Sequence, residues 1–273
     1  MRPKMNGANG APQEGTYYLF GVRVDNTRCE SALERIRAYA TQRVGSRARE
    51  VFFTNVHSIH LARHDPELRQ CINHADLVLA DGSGLNLAGK LFGSPIIENL
   101  NGTDFTPKVL SEALRNGWTV YLLGAAENVV RRCRDRLLKE FPGLKIAGFH
   151  HGHFPPAEEG SIVEEINRKR PNILLVALGS PLQERWIARH ARELRVGVCV
   201  AVGGLFDFIS GARTRAPHWV RALGIEWIYR FLQDPKSKWD RVVIEIPSFI
   251  GQLLLNRFAL RKVKPAWVRR RFS

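Results

Sequence analysis

Short apolar runs alternate along the chain with longer segments whose apolar residues recur every three or four positions. The runs at 51–54, 77–80, 119–123, 173–178 and 198–202 predict buried strands, with 144–147 a weaker sixth. Between them the segments 31–40, 59–72, 105–114, 129–140, 162–169 and 183–194 carry helical spacing, and another helix is expected from about Ser83. Continuous apolar strands separated by helices of this length predict an α/β fold, a Rossmann-like and mostly parallel sheet covered by helices on both faces. Near Gly211 the strand-like runs stop, and a basic, Trp- and Arg-rich helical appendage begins.

The pattern divides the chain into a polar, Gly/Pro-rich tail over 1–15 that predicts disorder, an α/β domain over 16–210, and the appendage over 211–273. Charge sharpens the last boundary. Residues 211–273 hold 14 Lys/Arg against 4 Asp/Glu, which is most of the net charge of +15. Such a segment is expected to meet an anionic surface, either lipid headgroups or nucleic acid. The longest apolar stretch, 242–255, is interrupted by Glu245, Pro247 and Gln252, so it is expected to lie on a membrane rather than cross one. Cys29, Cys71, Cys133 and Cys199 are scattered without a Cys-x-x-Cys pair, as expected for reduced thiols in a cytosolic protein.

Candidate chemistry gathers where strands end. Ala80 is followed by Asp81-Gly-Ser-Gly84, Leu123 by Gly124-Ala-Ala-Glu127, Leu178 by Gly179-Ser-Pro-Leu-Gln-Glu184, and Val202 by Gly203-Gly-Leu-Phe-Asp207. In an open parallel sheet ligands sit beyond the carboxyl ends of the strands. Glycine turns leading into helix N-termini there suit a phosphate-bearing ligand. Asp81 is a candidate catalytic carboxylate or a helix cap. Gln183 and Glu184, behind Pro181, either contact a sugar or base or only favour the helix dipole. Asp207 either binds a sugar hydroxyl, caps a helix, or pairs with a nearby arginine.

Other motifs point away from competing chemistries. His150-His-Gly-His153 lacks a cysteine or carboxylate cluster at useful spacing, so no metal site is expected. Asp-x-Asp is absent, as is a Walker A string. Gly82-Ser-Gly84 starts like a dinucleotide fingerprint, but Leu87 stands at the third glycine position, which weakens a nicotinamide reading.

Taken in order, Leu61-Ala-Arg-His-Asp-Pro-Glu67, Asp81-Gly82, Asn101-Gly-Thr-Asp104, Tyr121-Leu-Leu-Gly-Ala-Ala126, His150-His-Gly152, Ala177-Leu-Gly-Ser-Pro-Leu-Gln-Glu-Arg-Trp186, Val202-Gly-Gly-Leu-Phe-Asp207, Arg215-Ala-Pro217 and Leu223-Gly-Ile-Glu-Trp-Ile-Tyr-Arg230 resemble the WecG/TagA/CpsF family of bacterial glycosyltransferases, sugar-transferase family 26. The match runs from about Tyr18 to Phe249. The resemblance implies inverting transfer from a UDP-sugar to a lipid-linked, polyprenol-diphosphate saccharide acceptor in cell-surface polysaccharide synthesis. It places the enzyme on the cytoplasmic face of the membrane, without a metal or other cofactor. It makes Asp81 the general base, sets Gln183 near the substrate and brings Arg230 toward the diphosphate. Together with the strand-end turns, the resemblance gives an expected substrate-binding set of Thr54, Asn55, Gly82, Asn101, Asp104, Gly124, Gly179, Pro181, Gln183, Glu184, Gly203, Gly204, Asp207, Arg215, Arg221, Arg230 and Arg241. Phe53 and Asn99 depart from the family pattern, where well-known members carry Thr and Arg, which leaves the sugar open.

In the appendage Trp219, Val220, Leu223, Trp227 and Phe231 recur at helical spacing. Phe249, Ile250, Leu253 and Leu254 then precede a basic end containing Arg257, Arg261, Lys262, Lys264 and Arg269-Arg-Arg271. Apolar anchors beside many cations predict docking on an anionic membrane interface, and packing of the stripe on the domain is the alternative. The competing functions are a nucleic-acid-binding protein, motivated by charge but without a recognisable motif, and an NAD(P)-dependent nucleotide-sugar oxidoreductase. A homo-oligomer is possible, with the appendage closing its own or a neighbour's site.

Overall fold

The structure, a computed structural model, describes residues 13–41, 47–217, 219–220 and 226–260, the side chains of residues 230, 237, 238, 241 and 256–260 excepted. Eight strands form one sheet in the order β1-β2-β4-β3-β8-β7-β5-β6. They are β1 (Gly15–Leu19), β2 (Val22–Asn26), β3 (Arg49–Thr54), β4 (Leu77–Ala80), β5 (Thr119–Gly124), β6 (Lys145–His150), β7 (Ile173–Ala177) and β8 (Val198–Ala201). All neighbours pair in parallel except β1, which runs antiparallel to β2 at one edge.

The inner strands β4, β7 and β8 are buried on both faces, which explains their unbroken apolar runs. One face, with Phe52 and Val78, packs on α2 (Val56–His64), α3 (Pro66–His74), α4 (Ser83–Leu91), α7 (Glu159–Lys169) and α8 (Leu182–His190). The other, with Val51 and Leu79, packs on α1 (Cys29–Ala40), α5 (Gly102–Asn116), α6 (Glu127–Glu140) and α9 (Leu205–Ser210). The expected Rossmann-like α/β class is the observed one.

Three local readings are corrected. The tail expected over 1–15 ends early: Glu14 accepts hydrogen bonds from the Arg28 amide and the Ser31 hydroxyl, and Gly15 opens β1. The β1–β2 hairpin is unforeseen. Its two turn residues, Phe20 and Gly21, have φ of 52° and 79°, as a twist-matched hairpin turn demands. Phe20 is a poor residue for that conformation, but its ring stacks edge-on against Phe249 at 5.8 Å, with the Arg63 guanidinium over it. The single helix expected over 59–72 is two, because Pro66 has no amide to continue α2 and Asp65 caps α3 by accepting from the Leu68 amide at 3.0 Å.

Past α9 come α10 (Glu226–Gln233), α11 (Pro235–Asp240), a π-helical stretch (Arg241–Glu245) and α12 (Ile246–Leu260). Phe249 and Leu253 of α12, 5% and 0% exposed, belong to the domain core, whereas Ile250, Leu254 and Leu255 face outward. Half of the apolar stripe read as membrane anchors is therefore spent on packing. The basic end from Arg261, and the side chain of Arg257, lie outside the described residues.

At the amino end of β3, buried Glu50 accepts from Arg47 at 2.9 Å. Burial, assisted by the Asp76 charge and opposed by Arg47, pushes its carboxyl up to about 7. A carboxyl with a raised folded pKa holds its proton longer in the folded state than in the unfolded one. Its contribution to stability is therefore present below the ordinary value and lost as pH rises through about 7. Glu50→Gln is expected to stabilise the fold by about 1–2 kcal/mol at pH 8 and negligibly at pH 4, read by thermal melts at both.

Candidate active site

Beyond the carboxyl ends of β3, β4, β7 and β8 lies a cleft of about 480 Å³, closed on its far side by Glu226, Trp227 and Gln233 of α10 and by Val242 and Ile246. The volume suits a nucleotide-sized ligand. The C-terminal segment is held there by described contacts. Gln233 donates to the Thr214 carbonyl at 3.0 Å, Arg213 pairs with Asp234 at 3.3 Å, and His57 Nδ1 meets Glu245 at 2.8 Å.

Asp81 lies at the end of β4 on the cleft wall, half-buried, its amide donating to the Thr54 carbonyl at 2.9 Å. It does not cap α4. The N-cap is Gly82, at a φ of 99°, and no side chain caps that helix. The carboxylate instead receives the Asn55 carboxamide, Nδ2 to Oδ2 at 3.3 Å. Asn55 is oriented by its own capping box. Its Oδ1 accepts from the Ser58 amide at 3.1 Å and its backbone amide donates to Ser58 Oγ at 2.8 Å, which leaves Nδ2 to face Asp81. An amide fixed this way holds a carboxylate without neutralising it.

The departures from the family pattern sit in the same wall. The Phe53 ring fills the space against Gly102, where an added Cβ would meet it at 3.4 Å. Asn99 Oδ1 accepts from the Gly82 amide at 2.8 Å, pinning the turn that carries Asp81.

Of the residues expected to bind substrate, Asn55, Gly82, Asn101, Gly179, Gln183, Glu184, Gly203, Gly204 and Asp207 line the cleft with Asp81. Thr54 is fully buried behind it, and Pro181 lies outside the lining. Asp104 and Arg215 pair with each other at 2.6 Å, also outside the lining. Gly124 is a packing glycine: a Cβ there would stand 2.4 Å from the Ala177 carbonyl, so β5 and β7 approach only without one. Arg221, and the side chains of Arg230 and Arg241, lie outside the described residues.

The glycine turns supply fewer ligand-ready amides than their sequence implies. Gly82 N–H is engaged by Asn99, and Gly203 N–H donates to Gln183 Oε1 at 2.9 Å. Lining residues that the sequence reading passed over include His57 and Ser58, which follow directly on the strand end at Asn55. Arg213, Trp227 and Gln233 come from the C-terminal region and have no local signal. The His150–His151 pair lies at the end of edge strand β6, and among the described residues no group of three or more His, Cys, Asp or Glu is placed to hold a metal ion.

The family model described as "Glycosyl transferase WecG/TagA/CpsF family" matches residues 17–263. An N-acetylglucosaminyldiphosphoundecaprenol N-acetyl-beta-D-mannosaminyltransferase of Staphylococcus aureus is 30% identical over 249 residues, covering 90% of this chain and 95% of the relative. A protein of the same name from Bacillus spizizenii is 32% identical over 201 residues, covering 74% and 77%.

Proposed function

The chain belongs to the WecG/TagA/CpsF family of glycosyltransferases, and from that premise we propose that it moves a sugar from a UDP-sugar to a polyprenol-diphosphate saccharide, with inversion at the anomeric carbon. The observation that carries this reading is Asp81, a cleft carboxylate that does not cap α4 and receives the Asn55 carboxamide. In the proposed step the acceptor hydroxyl oxygen attacks the anomeric carbon and its proton passes to Asp81. The bond from that carbon to the diphosphate oxygen breaks, and UDP leaves with the electron pair. Positive charge on the leaving side falls to Arg213 in the cleft wall and to Arg221, Arg230 and Arg241.

The acceptor assignment is supported by the relatives' names, which specify a lipid-linked N-acetylglucosamine diphosphate. Donor choice is assigned to the wall formed by Phe53 and Asn99, and transfer without a divalent metal to the absence of an Asp-x-Asp string. Among the described residues no helix is long and apolar enough to cross a membrane. We assign peripheral docking on the cytoplasmic face to the segment 211–273, whose exposed Trp239, Val243, Ile244, Ile250, Leu254 and Leu255 precede the basic end.

Calorimetric titration with UDP in EDTA tests the reading, with NAD and a short DNA duplex as comparators. Saturable binding of UDP only is expected. Salt-sensitive DNA binding without UDP binding would overturn it.

A further inference from the structure

Gln183 opens α8 with a side chain only 6% exposed, and both ends of its carboxamide are engaged by the protein. Oε1 accepts from the Gly203 amide at 2.9 Å, and Nε2 donates to Glu184 Oε1 at 2.8 Å. These bonds choose one orientation of the amide. Flipped, it would turn its NH₂ toward the Gly203 N–H, donor against donor, and its carbonyl toward a carboxyl oxygen. Glu184 therefore selects the orientation that lets Gln183 hold Gly203. Gly203 has a φ of 54°, and with Gly204 it forms the cleft-lining turn that leads to Asp207.

Glu184 itself is 2% exposed, and among the described residues its Oε2 has no partner in good hydrogen-bond geometry, the Ser180 hydroxyl and the Glu184 backbone making only weaker contacts with the carboxyl. A carboxyl left half-satisfied inside a protein is costly. Keeping one here rather than an apolar side chain of similar size calls for a task that needs an acceptor at Oε1.

Resting on the proposed UDP-sugar reading, we infer that Glu184 is a positioning residue: it locks the Gln183 carboxamide, and through it the Gly203–Gly204 turn, in the arrangement that receives the donor nucleotide. Gln183 then acts as a strut between the turns after β7 and β8, with at most one N–H left for a ligand. Burial, which outweighs the hydrogen bonds from Gln183, from the Glu184 backbone and from Ser180, raises the Glu184 pKa.

The test is UDP affinity measured calorimetrically on the full chain, with thermal melts alongside. Wild-type binding comes first, because its absence would sink the functional reading and not this inference. Glu184→Leu keeps the volume and removes the acceptor, so UDP affinity is expected to fall about five- to tenfold, the worth of one lost hydrogen bond. Glu184→Gln presents a carbonyl to Gln183 and is expected to restore most of that loss. A folded Glu184→Leu with wild-type affinity overturns the inference, as does a Glu184→Gln no better than the leucine. If the leucine variant does not fold, Gln183→Met removes the strut from its other end under the same expectation, and wild-type affinity there overturns it.

Discussion

Asp81→Asn is expected to lower turnover about a hundredfold to ten-thousandfold, the range lost when a general base is removed. The substitution is nearly isosteric, and the backbone bond from residue 81 to the Thr54 carbonyl does not depend on the side chain. Since Gly82 is the cap of α4, no helix end is weakened. The melting temperature and UDP affinity are therefore expected to stay near wild type, and the loss to fall on turnover at saturating donor. The two alternatives give different results. A structural Asp81 would lower the melting temperature, and a purely donor-binding Asp81 would weaken UDP binding. Asp81→Asn turning over at more than about a tenth of the wild-type rate would remove the residue from the base role.

Leu253→Ala is expected to destabilise the whole domain by about 2–5 kcal/mol, because it opens a cavity at a fully buried position. Chemical denaturation should show one cooperative transition displaced as a unit, since Leu253 shares a core with β-strand residues such as Val78 and Cys199. An early separate transition, with the main one unmoved, would mean that α12 folds independently. The same packing makes truncation after Gly211 a poor probe of membrane docking, as it removes Phe249 and Leu253 from the core along with the basic end. The cleaner probe changes Ile250, Leu254 and Leu255 together to serine. These side chains face outward, so stability should hold while binding to anionic liposomes weakens. Unchanged liposome binding would count against docking through this face.

The cleft shows why some of the site was legible from sequence and some was not. Asp81 and Asn55 directly follow buried strands, Gly203 stands one residue past a third, and Gln183 lies in the first turn of the helix after a fourth. Parallel strands all deliver such residues to one edge. The four glycine turns look alike in sequence but do different things in space. Gly124 serves close strand packing, Gly82 and Gly203 have their amides engaged by Asn99 and Gln183, and only contact geometry separates these cases.

What the amino-acid sequence determined by itself is whatever depends on short-range periodicity and local backbone chemistry. That covers the parallel strands, most helices and the set of polar residues at the strand ends. Tertiary structure decided what depends on which distant surface is available to bury a side chain. Phe20 enters a hairpin turn unsuited to it because Phe249, more than two hundred residues away, covers its ring. The apolar stripe of α12 divides between core and surface because Phe249 and Leu253 are the two that reach the core beside α2, α4 and Phe20, and no pattern along one helix records the shape of the groove that it meets.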